Sequence, residues 1–191
     1  MALEKGQGAV DQTLAQLTQA MPGYQHKFVR VNRARGIQML KETRPHLRPH
    51  PAGGPPSAPA SAAFSVRAFA TQSNGLIIRA QDQDLFKPWL DQGSVNLAAL
   101  LEAGNLQVGI VPGRSYGEAV DAMLGRAPAQ VLVPHYGNDA STNLLQMEQL
   151  GRLHAFVGYW TEARYLATQQ GIDPATLRYL PIQGDSRYKF T

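Results

Sequence analysis

Residues 108–120 have the sequence VGIVPGRSYGEAV, and this stretch decides the fold class. Its first four residues, VGIV, are typical of a buried strand, and Gly113 permits a tight turn directly after them. Ser115 stands where a helix N-cap belongs, and Glu118 follows three residues later, as in a capping box. The spacing therefore predicts a strand, a turn and a helix in immediate succession.

A helix that starts in this way could bind an anion. Its first N–H groups and the positive end of its dipole point toward the turn, at the carboxyl end of a strand, where open α/β sheets bind ligands. Arg114 could add a guanidinium fork for a carboxylate or phosphate. An ordinary strand–turn–helix with a surface arginine stays open as the alternative. The stretch has neither the G-K-[ST] of a P-loop nor a G-x-G-x-x-G fingerprint.

The same alternation continues on both sides of this stretch from residue 64 onward. Short apolar runs separated by helical patterns of about ten residues are typical of parallel βαβ units. Strands are predicted at residues 76–78, 108–111, 131–133, 155–160 and 177–182, and helices at 95–103, 115–124, 141–150 and 161–170.

The first third of the chain is less regular. A helix is predicted over residues 8–20, a strand over 24–32 and a second helix over 33–43. Residues 45–63 then carry six of the thirteen prolines of the chain. Because proline removes backbone donors and fixes φ, this segment is interpreted as an irregular linker or loop. One hypothesis is that residues 45–62 are translated from a shifted reading frame.

A second candidate site lies in FVGYWTEARYL, residues 156–166. Tyr159 and Trp160 follow a predicted strand, and such side chains can form an apolar wall with polar tips. An aromatic core cluster explains the same pattern equally well.

Composition excludes several functions. The 191 residues contain no cysteine, which rules out disulfides and thiolate sites, and the net charge of +4 is too small to predict a nucleic-acid partner. His46 and His50 have the spacing of metal ligands on a helix, but the prolines around them prevent that helix. Ser115 has no evident base partner, and the scattered carboxylates form no acid/base pair. We therefore expect no catalytic residue, no metal, no cofactor and no enzymatic activity.

From residue 64 onward the order of motifs resembles the extracellular solute-binding proteins of family 3, which have the type II periplasmic binding fold. The segments that carry the resemblance are FSVR at 64–67, LIIR at 76–79, VGIVPGRSY at 108–116 and LLQMEQLGRLHAFVGYW at 144–160, with His154 in a position that is acidic in the family. The resemblance covers about two-thirds of the chain and is closest to an uncharacterised bacterial branch.

This resemblance implies a two-lobed α/β fold with an incomplete first lobe. Lobe one would span residues 1–78 plus 178–191, and lobe two residues 79–177. The implied function is binding of a small anionic or zwitterionic, amino-acid-like solute in the cleft between the lobes. The implied ligand-binding residues are Pro112, Gly113, Arg114, Ser115, Tyr116, Tyr159 and Trp160.

The resemblance also implies a monomer that works in the periplasm with a membrane transporter, such as an ABC transporter, or a sensor. The first residues, MALEKGQGAVDQTLAQL, lack the apolar core of a signal peptide, and no apolar run is long enough to span a membrane. Two departures from the family, the missing lobe-one arginine and the missing acid near Gly158–Tyr159, argue against classical amino-acid binding.

Three alternatives stay open. A small-molecule lyase or dehydratase on the same fold would need an acid in the cleft. A basic interaction module would use Arg30, Arg33 and Arg35 together with the proline-rich segment, and would bind nucleic acid in a strongly salt-dependent way. An inactive remnant of a solute-binding protein would not unfold cooperatively.

Overall fold

The structure is a computed structural model that describes residues 8–29, 31, 35–36, 38–39, 70–137, 139–185 and 188–190. Contacts divide the chain into two units, Met1–Glu42 and Thr43–Thr191. The proline-rich segment at 45–63, and with it the hypothesis of a shifted reading frame, lies outside the described residues.

The first unit contains helix α1, Ala9–Ala20, which confirms the predicted helix. The predicted strand at 24–32 is wrong for residues 24–29, which have no strand partner. Instead the chain folds back locally, with the His26 ring 2.9 Å from the carbonyl of Met21, and Phe28 is exposed. Residues 35, 36, 38 and 39 are helical, in agreement with the helix predicted there.

The second unit is built from short strands and helices. Its strands are β1 (Ala70–Gln72), β2 (Gly75–Arg79), β3 (Leu90–Asp91), β4 (Ser94–Val95), β5 (Val108–Ile110), β6 (Leu132–Pro134), β7 (Ala155–Gly158), β8 (Leu177–Pro181) and β9 (Tyr188–Phe190). Its helices are α2 (Leu97–Ala103), α3 (Glu118–Arg126), α4 (Ala140–Gln149) and α5 (Trp160–Gln169), with 3₁₀ helices at Ala80–Trp89 and Pro174–Thr176.

Five strands form the central sheet in the order β6-β5-β7-β2-β8. Strand β5 is parallel to both β6 and β7, as the strand–helix alternation predicts. Strand β2 is antiparallel to both of its neighbours, so the sheet is mixed rather than wholly parallel. The reversal arises where the chain enters the sheet, because β2 begins at the edge where β7 and β8 end.

The sheet is covered on both faces. Leu76 and Ile78 of β2 belong to one apolar cluster, which also contains side chains of α2 and α3. Ile77 between them belongs to a second cluster, which contains side chains of α4 and α5. All three side chains are fully buried, which explains why β2 has a continuous apolar sequence instead of an alternating one.

The chain enters and leaves this sheet through adjacent strands. Strand β1 pairs antiparallel with β9, with Ala70 opposite Phe190, and both lie outside the central sheet. Strands β2 and β8, which lie at the predicted lobe boundaries, are hydrogen-bonded into the same sheet as β5–β7. The division into lobes at 78/79 and 177/178 stays a prediction.

Candidate functional site

The candidate site lies at one edge of the central sheet, where the parallel strands end. The turn after β5, the residues after β6 and the start of α5 after β7 all meet this edge, because parallel strands end on the same side. Asn74 reaches it as well, since the antiparallel strand β2 begins here.

The turn after β5 differs from the predicted capping box. Helix α3 begins at Glu118 after Gly117, whose φ of +104° ends the turn, so Ser115 is not the N-cap. The Ser115 hydroxyl donates instead to Asp121, at 2.7 Å, and the backbone amide of Tyr116 donates to the same carboxylate at 2.8 Å. An aspartate in the first turn of the helix therefore holds the preceding turn in place.

Tyr116 anchors the turn to the sheet. Its side chain is 2% exposed, and its phenolic oxygen accepts a hydrogen bond from the Val111 amide at 2.7 Å. Its backbone carbonyl accepts from the side-chain amide of Asn74 at 3.1 Å. Burial raises the pKa of the Tyr116 phenol above its ordinary value, although the Val111 amide and the nearby Arg114 charge oppose the rise. The ring is therefore neutral at physiological pH.

Arg114 is the centre of the site. Its Nη2 donates to Glu162 Oε2 at 2.7 Å, and its Nη1 donates to the hydroxyl of Ser141 at 3.3 Å. The guanidinium carbon lies 5.0 Å from the ring centroid of Tyr159 and 5.7 Å from that of Tyr116, both within cation–π range. The side chains of Arg114 and Glu162 are 19% and 16% exposed, so solvent reaches the pair.

Glu162 keeps this arginine charged. Burial by itself would lower the pKa of the Arg114 guanidinium, but the charge and hydrogen bond of Glu162 outweigh it, and the pKa is raised above its ordinary value. The site therefore presents a permanent ion pair with little net charge, rather than a free cation for an anionic ligand.

The structure brings together four of the seven site residues that the sequence predicts. Arg114 lies over the rings of both Tyr116 and Tyr159, and Ser115 holds the turn that carries Arg114 and Tyr116. Gly113, with φ of +76°, shapes the turn after Pro112, as predicted from its place in the sequence. Trp160 makes its ring contacts with Tyr179 and Arg164 instead.

Sequence reasoning missed Ser141, Glu162 and Asp121. Ser141 and Glu162 lie in the first turns of α4 and α5, at the carboxyl ends of strands that the sequence did predict. The signal that could have found Glu162 is its position three residues after Tyr159, in the first turn of a predicted helix.

Among the described residues, no group of three or more His, Asp or Glu side chains could hold a metal ion. His135 makes a contact of 2.9 Å with the amide of Asn143, and His154 Nδ1 accepts from the Gln107 backbone at 2.9 Å. Both histidines thus have hydrogen-bonding roles within the fold. No helix among the described residues is long and apolar enough to cross a membrane.

A shallow open depression lies beside strands β3 and β4. It is lined by Trp89, Asp91, Asn96 and Gln183, among others, and shares no residue with the Arg114 cluster. Two of these polar side chains already contact other groups, because Asn96 caps α2 and Gln183 donates to Asp91. The charged and aromatic groups of the Arg114 cluster make it the better candidate for recognition of a solute.

No protein-family model matches the chain, and no curated protein matches it by sequence. The GluR0 ligand-binding core in complex with L-glutamate is similar in structure, with a TM-score of 0.63 and 16% identity, over 94% of this chain and 72% of that one. An ancestral arginine-binding protein bound to glutamine has a TM-score of 0.56 and 13% identity, over 93% and 69%.

The chain spans 57% of the length of another solved structure, the periplasmic binding protein XoxJ from Methylobacterium extorquens AM1, with a TM-score of 0.44, 11% identity and 68% of this chain covered. At these identities the likeness concerns the fold alone. Over most of its length, the chain has the fold of the type II periplasmic solute-binding proteins that the order of its motifs predicts.

Proposed function

We propose that this chain binds a small zwitterionic solute of the amino-acid type at the Arg114 cluster, without chemical change to the solute. The observation that carries the proposal is the partly exposed Arg114–Glu162 pair, 2.7 Å apart, at the carboxyl edge of the sheet. A zwitterion offers a carboxylate to the guanidinium and an ammonium to the carboxylate, and so matches both charges of the pair.

The neutral character of the pair also argues against a purely anionic solute. An anion would have to compete with Glu162 for Arg114 and would leave the glutamate charge without its partner. A zwitterion replaces both halves of the pair at once, and the ring of Tyr159 gives its apolar part a surface to lie on. The implied amino-acid-like class is therefore favoured over simple carboxylates.

The proposed binding site includes Pro112, Gly113, Ser115 and Tyr116 as the turn that presents Arg114, with Trp160 at its border. On this proposal the chain is a two-lobed binding protein with an incomplete first lobe, and closure of the lobes on the solute transmits binding to a transporter or sensor in the periplasm. A lyase or dehydratase is less well supported, because the two carboxylates of this cluster are already engaged, Glu162 by Arg114 and Asp121 by Ser115 and Tyr116.

The test is thermal unfolding of the purified chain with a panel of amino acids, polyamines and small carboxylates. A solute at about 100 times its Kd should stabilise the chain by about 2.7 kcal/mol, which is a rise of several degrees in Tm. We expect an α-amino acid to give this rise and simple carboxylates to give none.

Two variants test whether the rise in Tm depends on the Arg114 cluster. Glu162→Gln should lose most of the rise, because it removes the charge that pairs with the ammonium, while Glu102→Gln, at an exposed position of α2, should keep it. Each variant is compared with its own Tm without solute. A panel without any effect on the wild-type chain, or an unchanged rise in Glu162→Gln, would contradict the proposal.

A further inference from the structure

We propose that Arg114 fills, within its own chain, a cation-binding site formed by Tyr159, Glu162 and Ser141, and that an external guanidinium or ammonium group can take its place. The inference rests on the proposed function, because it gives the chemical class of one half of the solute. It adds that the site has the acceptor groups of a cation site and that the guanidinium of Arg114 already occupies it.

The partners of the guanidinium are those of a cation site. Glu162 supplies a carboxylate oxygen at 2.7 Å, Ser141 supplies a hydroxyl oxygen at 3.3 Å, and Tyr159 supplies a ring face at 5.0 Å. The ring of Tyr116, at 5.7 Å, adds a second aromatic neighbour. In each of these contacts the partner accepts a hydrogen bond or presents the negative face of a ring, which is the chemistry that recognises guanidinium and ammonium groups.

The site and its occupant come from different elements. Ser141 lies on α4. Glu162 lies on α5, which begins directly after Tyr159. Arg114 lies on the turn that follows β5. Both helices pack on the sheet through buried apolar side chains. The acceptors of the site should therefore stay in place when the arginine side chain leaves.

The conformation of the turn that carries Arg114 does not depend on the arginine side chain. Ser115 and Tyr116 are held by Asp121, and Tyr116 is held further by the amide of Val111 and the side chain of Asn74. The backbone amide of Arg114 itself donates to the Val111 carbonyl at 3.2 Å. Only the guanidinium would move if an external cation replaced it.

Because the guanidinium of Arg114 is attached to the chain, it competes with any free cation for the site. A group attached through a short flexible chain acts at an effective concentration on the order of millimolar, so a free cation must exceed that level to displace Arg114. Removal of the side chain removes this competition and leaves the Glu162 carboxylate without its cation, which an external guanidinium then stabilises. Arg114 thus lowers the affinity of the site for cations and, once displaced, is free to meet the carboxylate of a zwitterion.

The experiment is chemical rescue of Arg114→Ala by methylguanidinium, followed by thermal unfolding at constant ionic strength. We expect millimolar methylguanidinium to raise the Tm of Arg114→Ala by a few degrees over sodium chloride at equal concentration. The wild-type chain and the double variant Arg114→Ala/Glu162→Gln should respond no more than they do to sodium chloride. An Arg114→Ala chain that unfolds cooperatively but shows no specific response, or an equal response in the double variant, would overturn the inference.

A second measurement decides the case if Arg114→Ala does not fold. The Nε–H resonance of Arg114 in the wild-type chain, assigned by its loss in Arg114→Lys, should shift when methylguanidinium is raised well above the millimolar level, where it displaces the tethered side chain, and stay unchanged with sodium chloride. An unchanged resonance at saturating concentration contradicts the inference. Because methylguanidinium is not an amino acid, rescue without any effect of the solute panel would separate a cation site from the proposed function, and the reverse would show solute binding without a cation site.

Discussion

At the scale of single residues, Glu148 is the least expected feature of the chain. It lies on α4 at the sheet edge opposite the Arg114 cluster, and its side chain is 0% exposed. Burial raises its pKa from 4.5 to about 7, against the opposing effects of a hydrogen bond from Gln149 and the charge of Arg79. Arg79 offsets only part of this rise in pKa, because its charge is also paired with Asp82.

Glu148→Gln should therefore stabilise the chain at alkaline pH. Since the folded state holds the Glu148 proton up to about pH 7 and the unfolded state releases it near 4.5, the free energy of unfolding falls as pH rises through that window. The full loss is about 3 kcal/mol, from a shift of this size. We expect the variant to gain about this amount at about pH 8 and almost nothing at about pH 4.

Urea unfolding across this pH range measures the effect. Glu102→Gln, an exposed substitution of the same type on α2, is the control and should follow the wild-type curve. A Glu148→Gln curve parallel to that of the wild type at all pH values would show that Glu148 is already charged in the folded chain.

Single residues also show which features of the candidate site could be predicted from the sequence and which could not. The positions of Arg114 and Tyr159 after strand ends were predictable, because they follow from local pattern. Their connection through Glu162, which is 48 positions from Arg114, depends on how β5 and β7 are paired. The predicted role of Ser115 was wrong because the backbone of Gly117 moves the helix start to Glu118, where no local spacing rule places it.

At the scale of elements, Gly109 explains why β5 can lie so close to α4. A Cβ at this position would come within 2.6 Å of Leu144 and 2.9 Å of Leu153, two fully packed side chains on the helix side of the sheet. The absence of a side chain thus sets the distance between strand and helix, and with it the position of Ser141 at the start of α4.

Gly109→Ala should destabilise the chain by about 1 to 3 kcal/mol, the usual range for an added methyl group in a packed core. Gly125→Ala is the matched control, because its Cβ would meet nothing within 4 Å and it lies within helix α3. There we expect a gain of about 0.5 to 1 kcal/mol, because alanine favours helix. Denaturant unfolding of both variants tests this, and equal effects would show that the contacts at Gly109 relax without cost.

Most elements of the second unit could be predicted from local periodicity, because each strand or helix satisfies its own pattern of apolar residues. The helix predicted at 141–150 is found at Ala140–Gln149, and the strand predicted at 76–78 at Gly75–Arg79. The predicted strand at 24–32 failed because a strand needs a partner to satisfy its backbone groups. The residues there are rich in β-branched and aromatic types, yet local sequence cannot show whether a neighbouring strand exists.

At the scale of the whole molecule, the direction of β2 is the feature that no local pattern contains. Its apolar sequence fits a parallel or an antiparallel strand equally well. Its direction depends on the side from which the chain reaches the sheet, and the chain reaches β2 from β1, which pairs with β9. The alternation of strands and helices predicted the parallel part correctly, from β5 to β7, because helical crossovers, α3 and α4, connect β5 to β6 and β6 to β7.

The distribution of buried side chains leads to a prediction about the second unit. Every buried apolar side chain of the described residues lies between Leu76 and Ile182, within Thr43–Thr191. A chain of residues 43–191 should therefore unfold in one cooperative transition, with a Tm within a few degrees of that of the full chain. Circular dichroism at 222 nm, compared with near-ultraviolet signals from Trp89 and Trp160, measures this. Coincident curves support an autonomous core, whereas a broad transition in the shorter chain would mean that this core needs residues 1–42 for its stability.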